Sequence, residues 1–281
     1  MRIVRSVAEM KSLARTWAAE GKTVGFVPTM GFLHEGHMSL VRESRKRSDI
    51  TVVSVFINPA QFGPGEDFRA YPRDPERDRI MLKVGGADAL FMPDAADIYP
   101  PGYQTSVEVH DLQDKLCGRT RPGHFRGVCT VVLKLFNIVR PDVAFFGWKD
   151  AQQVVILKKM VRDLDMDIRI EACPIVRDAD GLALSSRNSY LSAEERRAAL
   201  SLSASLGAAA ALIEAGERDA AAVIQRMKTI IGREPLARVD YIEIVDGDGL
   251  VPLKTIGGTA LIALAVFIGG TRLIDNARIT T

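Results

Sequence analysis

Along the first two thirds of the chain, apolar positions switch back and forth between a helical and a strand period. Val7, Met10, Leu13, Ala14 and Trp17 share one helical face, and Ser6 with Glu9 supplies a capping-box pattern ahead of it. Residues 23–28 then read as a buried strand entering a glycine-containing turn, 36–47 as a helix, and 49–58 as a β-branched strand. The alternation continues with a helix over 74–84, strands over 87–93 and 105–109, and a helix over 126–139 that stops before Pro141. Residues 142–147 form another apolar strand, 151–162 a helix and 167–173 a strand. Uniformly apolar strands separated by helices predict a parallel sheet covered on both faces. The expected fold class is α/β, with a Rossmann-like doubly wound domain over residues 1–175.

The pattern changes after that. Ser192 with Glu195 forms a second capping box, opening an alanine-rich helix to about Ala215, and 219–231 predicts another helix. Strands over 239–246 and 260–269 complete a smaller C-terminal α+β domain, residues 176–281. The break at 177–190 is short and rich in polar groups, and reads as a hinge through which this domain covers a site.

Composition narrows the class. With 281 residues and 47% hydrophobic positions, the chain can build a large α/β core with an appendage. Lys and Arg total 37 against 35 for Asp and Glu, a net charge of +2 that leaves no footprint for nucleic acid. The most apolar run, 260–268, is too short to span a bilayer, and the start lacks a secretory apolar segment. Cys117, Cys129 and Cys173 cannot all pair within one chain, so a reduced, cytoplasmic setting with no membrane partner is expected. Cys117 and Cys129 bracket His124, but their spacing fits no common zinc site.

The segment richest in chemistry is PTMGFLHEGHMSL, residues 28–40. It leaves a predicted strand, turns at Gly31, and presents His34 and His37 three residues apart, on one helical face near a helix start. Ligands of open α/β sheets sit at the carboxyl ends of strands, where helix N-termini favour phosphate. Two imidazoles there can donate to triphosphate oxygens. Gly31 to Gly36 has P-loop spacing, but His37 and Met38 stand where Lys and Ser or Thr belong. A two-histidine metal site lacks an obvious third ligand. The dehydrogenase, zincin and hydrolase fingerprints GxGxxG, HExxH and GxSxG are absent.

Further blocks follow in order: NPAQF (58–62), YPRD (71–74), RPGHFRGV (121–128), FGWKDAQQ (146–153) and DGLALSSRNSYL (180–191). With the HxGH segment they closely resemble the pantoate–β-alanine ligase family, within the adenylyl-transfer superfamily. The resemblance runs from Gly25 to about Leu191. It implies an ATP-dependent condensation of pantoate with β-alanine through a pantoyl adenylate, with Mg²⁺ accompanying ATP and a homodimeric enzyme.

The resemblance also assigns residues. His34, His37, Lys149 and Arg187 would be catalytic, stabilising charge on the phosphates. ATP would be held by these together with Met30, Gly147, Asp150, Val176, Ser185 and Ser186. Asp150 would accept from the ribose hydroxyls, with main chain at Gly147 and Val176 near adenine. Gln61, Gln153 and Met30 would bind pantoate. Asn58, Tyr71, His124 and Arg126 would belong to the β-alanine side or to a lid, and residues 63–77 have the composition of a loop that closes over the adenylate. Asp78 would help hold Mg²⁺. Trp148 departs from the polar residue usual before the Lys-Asp pair. The homodimer could form through the apolar strand 52–57 or neighbouring helices. Two other readings stay open: a nucleotidylyltransferase of the same superfamily, and a non-enzymatic nucleotide sensor.

Overall fold

The apolar run after the first helix becomes the middle of a parallel sheet. The computed structural model describes residues 1–281. Strands β1 (Arg2–Val4), β2 (Val24–Thr29), β3 (Ile50–Val55), β4 (Ala89–Phe91), β5 (Val143–Gly147) and β6 (Arg169–Cys173) pair in the order β1-β4-β3-β2-β5-β6. Every pairing is parallel. The connecting helices are α1 (Val7–Ala19), α2 (Glu35–Arg47), α3 (Pro75–Val84), the short α4 (Ala95–Ile98) and α5 (Cys117–Thr120), α6 (His124–Val139) and α7 (Ala151–Asp163).

From β2 the chain builds outward through β3 and β4, then returns to β2's other edge with β5 and β6. The strand order therefore reverses between β2 and β5, whose carboxyl ends are Thr29 and Gly147. A crevice for ligands opens at such a reversal. Successive residues of β2 serve opposite faces. Phe26 meets Phe136 of α6 edge-on at 6.4 Å. Val27 packs on the other side with Leu33, Val41 of α2, Leu82 of α3 and Phe145. Each such side chain contributes roughly 1.5–3 kcal/mol on burial, so both faces hold the sheet.

A second compact unit comprises residues 175–281 with two short stretches, 115–117 and 149–152; the first takes the remainder. In the second unit β7 (Ala237–Asp246), β8 (Thr259–Ile268) and β9 (Thr271–Thr280) form an antiparallel meander with β8 central. Helices α8 (Ala193–Glu214) and α9 (Ala220–Ile231) close its core, in which Leu202, Leu206, Val223, Met227, Ile262 and Leu264 are buried together. The capping box of α8 is complete, with Ser192 and Glu195 each bonding the other's backbone N–H. No helix is long and apolar enough to cross a membrane.

Several expectations are corrected. Residues 105–109 form no strand; the Val107 N–H donates instead to Thr130 Oγ1 of α6 at 2.9 Å, so the backbone bond goes to a helix side chain. The first capping box is only half made. Ser6 Oγ accepts from the Glu9 N–H, but the Glu9 carboxylate is drawn to Arg2. Strand β3, which holds most of the expected dimer segment 52–57, is paired on both sides. Strand β9 was not anticipated, since Asp275 and Asn276 interrupt its apolar pattern at positions that prove buried. Three-residue β1 was too short to register.

Helix α6 packs directly on the 3₁₀ turn Pro59–Gln61 at Gly127. A Cβ on Gly127 would lie 2.2 Å from the Ala60 carbonyl oxygen and 2.7 Å from Gln61 Cα. Gly127→Ala should therefore cost about 1–3 kcal/mol, as overpacking does. Denaturant unfolding checks this, and unchanged stability would show that the turn yields freely.

Candidate active site

The carboxyl end of β2 turns sharply, and the turn is held from outside. Thr29 Oγ1 donates to the Ser54 carbonyl at 2.8 Å and accepts from the Gly31 N–H at 3.2 Å. Gly31 has φ +85°, and a Cβ there would lie 2.9 Å from Val55 Cγ1 and 3.0 Å from Asp78 Oδ2. Phe32 follows with φ 51°, a conformation costing about 1–3 kcal/mol for a residue with a side chain. Asp78, on α3, meets this strain. Its Oδ2 accepts from the Phe32 N–H at 2.8 Å and its Oδ1 from the Leu33 N–H at 2.7 Å. Arg77 donates to the Leu33 carbonyl at 2.9 Å and lies over the Phe32 ring.

Asp78 is only 1% exposed. Burial pushes its carboxyl above the usual carboxylate range, against the opposing pull of the two N–H donors and Arg77. An enclosed carboxylate with both oxygens engaged by backbone is a structural clamp. That differs from the expected magnesium ligand, which would need open oxygens for an ion and its waters.

The clamped turn delivers His34 to the N-cap of α2 and His37 to its first turn. The Gly36 N–H donates to His34 Nδ1 at 3.2 Å, and the His34 N–H donates to His37 Nδ1 at 3.3 Å. The rings lie side by side with centroids 4.0 Å apart and planes inclined at 42°. A nitrogen that accepts a backbone N–H carries no proton, so each neutral imidazole bears its proton on Nε2. Both rings are thereby built as Nε2–H donors. The expectation of two histidines on one helical face is refined: His34 caps the helix, and His37 alone is inside it.

Beside this turn lies an amide relay. Gln61 Nε2 donates to Met30 Sδ at 3.0 Å, joining two expected pantoate ligands. Asn58 is 1% exposed, with its hydrogen-bonding capacity used. Its Nδ2 donates to Gln61 Oε1 at 3.1 Å and to the Gly127 carbonyl at 3.0 Å. Its Oδ1 accepts from the Ala60 N–H at 3.2 Å and from the Tyr99 hydroxyl at 2.8 Å. Enclosed in this way, Asn58, expected on the β-alanine side or in a lid, supports Gln61. Gln153 is half-buried in the first turn of α7, just after β5.

The loop after Gln61 is latched. Glu66 pairs through both oxygens with Arg121, at 2.6 and 2.7 Å, and also accepts the Gly63 N–H. Burial acts to raise the Glu66 carboxyl, but the Arg121 fork outweighs it and the net direction is down. Tyr71 is buried on the loop, edge-on to Phe62. His124 is engaged by protein at both ring nitrogens. Arg121 can only donate to Nε2, at 2.9 Å, so the proton is on Nδ1 and bonds the Gln61 carbonyl at 2.8 Å. His124 thus props the Gln61 main chain, and Arg126 makes a 3.6 Å surface pair with Glu108.

The remaining expected residues, apart from Gly147 at the end of β5, group in the second unit. Lys149 and Asp150, placed by sequence in the first domain, group there, and Asn276 Nδ2 of β9 donates to the Lys149 carbonyl at 2.9 Å. The Lys149 ammonium lies 3.9 Å from the Asp150 carboxylate. Val176 and Leu184 face each other in a hairpin, with the Leu184 N–H on the Val176 carbonyl at 3.0 Å. Arg177 binds Asp275 of β9 bidentately at 2.6 and 2.9 Å, and Arg196 of α8 binds Asp178 and Asp180. The hairpin leads into a 3₁₀ turn, Ser186–Tyr190, whose N-cap Ser185 accepts the Arg187 N–H. Segment 177–190, the expected hinge, is a hairpin and turn bonded to α8 and β9.

Comparison with known proteins decides what kind of site this is. The family model for pantoate-beta-alanine ligase matches residues 2–278. The chain belongs to the pantoate–β-alanine ligase family. It is 56% identical over 276 residues to the pantothenate synthetase of Heliobacterium modesticaldum, covering 98% of each chain. The crystal structure of pantothenate synthetase from Thermus thermophilus superposes with a TM-score of 0.94 at 43% identity, covering 99% of both chains. A pantoate-beta-alanine ligase from Francisella tularensis, complexed with beta-gamma ATP and beta-alanine, matches with a TM-score of 0.81 at 32% identity over 99% of this chain and 97% of that one. The protein is thus a ligase that joins pantoate to β-alanine.

In this ligase, sequence reasoning missed the parts that support the site: the Asp78 clamp, the Glu66–Arg121 latch and Tyr99. Asp78 follows the YPRD block and Glu66 precedes it, but neither offered a pattern that fixed its partner. Removing the clamp gives a direct test. Asp78→Ala orphans two buried N–H groups, at about 1–3 kcal/mol each, and should lower the thermal midpoint without ATP or magnesium present. Asp78→Asn, which keeps one acceptor, should fall between. Wild-type stability in both variants, with only magnesium dependence altered, would restore the metal-ligand reading.

Proposed function

We propose that the ligase activates pantoate as its adenylate before β-alanine enters, with His34 and His37 as the donors that stabilise the first step. A pantoate carboxylate oxygen attacks the α-phosphorus of ATP; the P–O bond to the β-phosphate breaks and pyrophosphate leaves. The β-alanine amine then attacks the acyl carbon, the bond to AMP breaks, and the amine proton is lost to solvent. Neither step needs a protein nucleophile. Catalysis is then positioning and stabilisation of developing negative charge.

The observation that carries this reading is the fixed Nε2–H polarity of the two adjacent imidazoles at the N-terminus of α2, beside the reversal in strand order. Donors preset in this way need no reorganisation as charge builds on phosphate oxygens, and the helix terminus adds its own positive end. Gln61, Gln153 and Met30 would hold pantoate. Lys149, Ser185, Ser186 and Arg187 would hold the phosphates, with Gly147, Asp150 and Val176 on the nucleoside. The Glu66–Arg121 latch and buried Tyr71 would keep water from the mixed anhydride.

Magnesium does not fit a protein cradle here. Asp78 is enclosed and engaged, and no group of three or more His, Cys, Asp or Glu side chains could hold an ion. Magnesium would enter with the triphosphate, held by phosphate oxygens and water.

Exchange of labelled pyrophosphate into ATP, with no amine present, tests the order of steps. Exchange should require pantoate, and His34→Ala or His37→Ala should slow it by about 10²–10³ with the fold intact. Exchange without pantoate would favour a nucleotidylyltransferase, and no exchange by folded, active protein would contradict the adenylate.

A further inference from the structure

We propose that Tyr99 is a positioning residue for pantoate, its hydroxyl acting through Asn58 to fix which end of the Gln61 amide faces the substrate. The proposal rests on the reading of Gln61 as a pantoate ligand.

A primary amide has two ends of nearly equal shape and opposite polarity, so its partners decide which way it points. Gln61 has one enclosed partner, Asn58, and one exchangeable partner, the weakly accepting sulfur of Met30. Because Asn58 Nδ2 occupies Gln61 Oε1, the Gln61 N–H₂ is turned to the Met30 side. Asn58 is itself oriented by two backbone groups of fixed polarity and held there by the Tyr99 hydroxyl. The Ala60 N–H and the Tyr99 hydroxyl both donate to its oxygen, and the Gly127 carbonyl takes its second N–H. Turning Asn58 over would set its N–H₂ against the Ala60 N–H and its oxygen against the Gly127 carbonyl. The chain runs in one direction, Tyr99 to Asn58 to Gln61, and ends in an N–H.

Tyr99 is built to stay in this role. It caps the end of α4, where its N–H returns to the Ala95 carbonyl at 2.8 Å. Its ring lies 5.1 Å from Tyr103 and 6.4 Å from Phe56, and Lys134 Nζ lies 5.7 Å from its centroid. Burial pushes the phenol well above its ordinary value, so the hydroxyl remains protonated. A donor into the Asn58 carbonyl also polarises the amide and strengthens its N–H bonds onward. The terminal Gln61 N–H suits an oxygen acceptor, which pantoate offers in its carboxylate and hydroxyls.

Pantoate-dependent pyrophosphate exchange should be compared in wild type, Tyr99→Phe, Gln61→Ala and the double variant. Loss of one hydrogen bond predicts that Tyr99→Phe raises the pantoate concentration for half-maximal exchange about 3–10-fold. The ATP half-saturation should stay unchanged, and in the Gln61→Ala background the same substitution should add nothing. Asn58→Asp, which keeps the acceptor oxygens but cannot donate to Gln61, should show the same selective change in the pantoate term. An unchanged pantoate term in Tyr99→Phe, or an equal increase with and without Gln61, overturns the relay. A fall in thermal midpoint with pantoate and ATP terms shifting together overturns it too, as a purely structural role. If Gln61→Ala itself leaves the pantoate term unchanged, the assignment of Gln61 fails first, and the two failures are told apart.

Discussion

The site depends on the Asp78 carboxylate, which reaches from α3 to the backbone of Phe32 and Leu33 and so fixes the left-handed step by which the chain leaves β2. Hydrogen bonds to a charged group are worth about 1.5–3 kcal/mol each, and two of them exceed the roughly 1–3 kcal/mol of strain at Phe32. Arg77 seconds the clamp from the next position. Without it the turn would relax, and the backbone N–H groups that set the two histidine rings would be misplaced.

Fixed polarity recurs around Gln61. Its side chain is oriented by Asn58, its carbonyl by His124, and its turn by the close approach of α6 at Gly127. Polarity is set by the backbone, through the Ala60 N–H and Gly127 carbonyl on Asn58 and the Gln61 carbonyl on His124. In the second unit the hairpin that carries Ser185 to Arg187 is tied by Arg177 to Asp275 and by Arg196 to Asp178 and Asp180. A charge pair as enclosed as Arg177–Asp275 adds little net stability, but losing one partner is costly, which favours a single arrangement of the hairpin.

Much of this was legible in the chain itself. Buried strands of β-branched residues announced the parallel sheet, and Ser192 with Glu195 announced α8, because these signals are local. The residues that would meet substrate lie in short blocks whose order carries the family. What stayed hidden is non-local. Asp78 reads as a helix carboxylate until its partners 45 and 46 positions away are known. Asn58 and Tyr99 are 41 positions apart, and no period links them. Strand β9 escaped because its inward Asp275 and Asn276 are polar for reasons that lie in another segment, at Arg177 and Lys149.

The central claim is that the backbone, set by the clamp, makes both imidazoles Nε2–H donors. Nitrogen-15 NMR of the ring nitrogens of His34 and His37, at a pH where both rings are neutral, tests it most directly. In both residues Nδ1 should be the unprotonated, pyridine-like nitrogen and Nε2 should carry the proton. Protonated Nδ1 in either ring, or rapid averaging of the two tautomers, would contradict it.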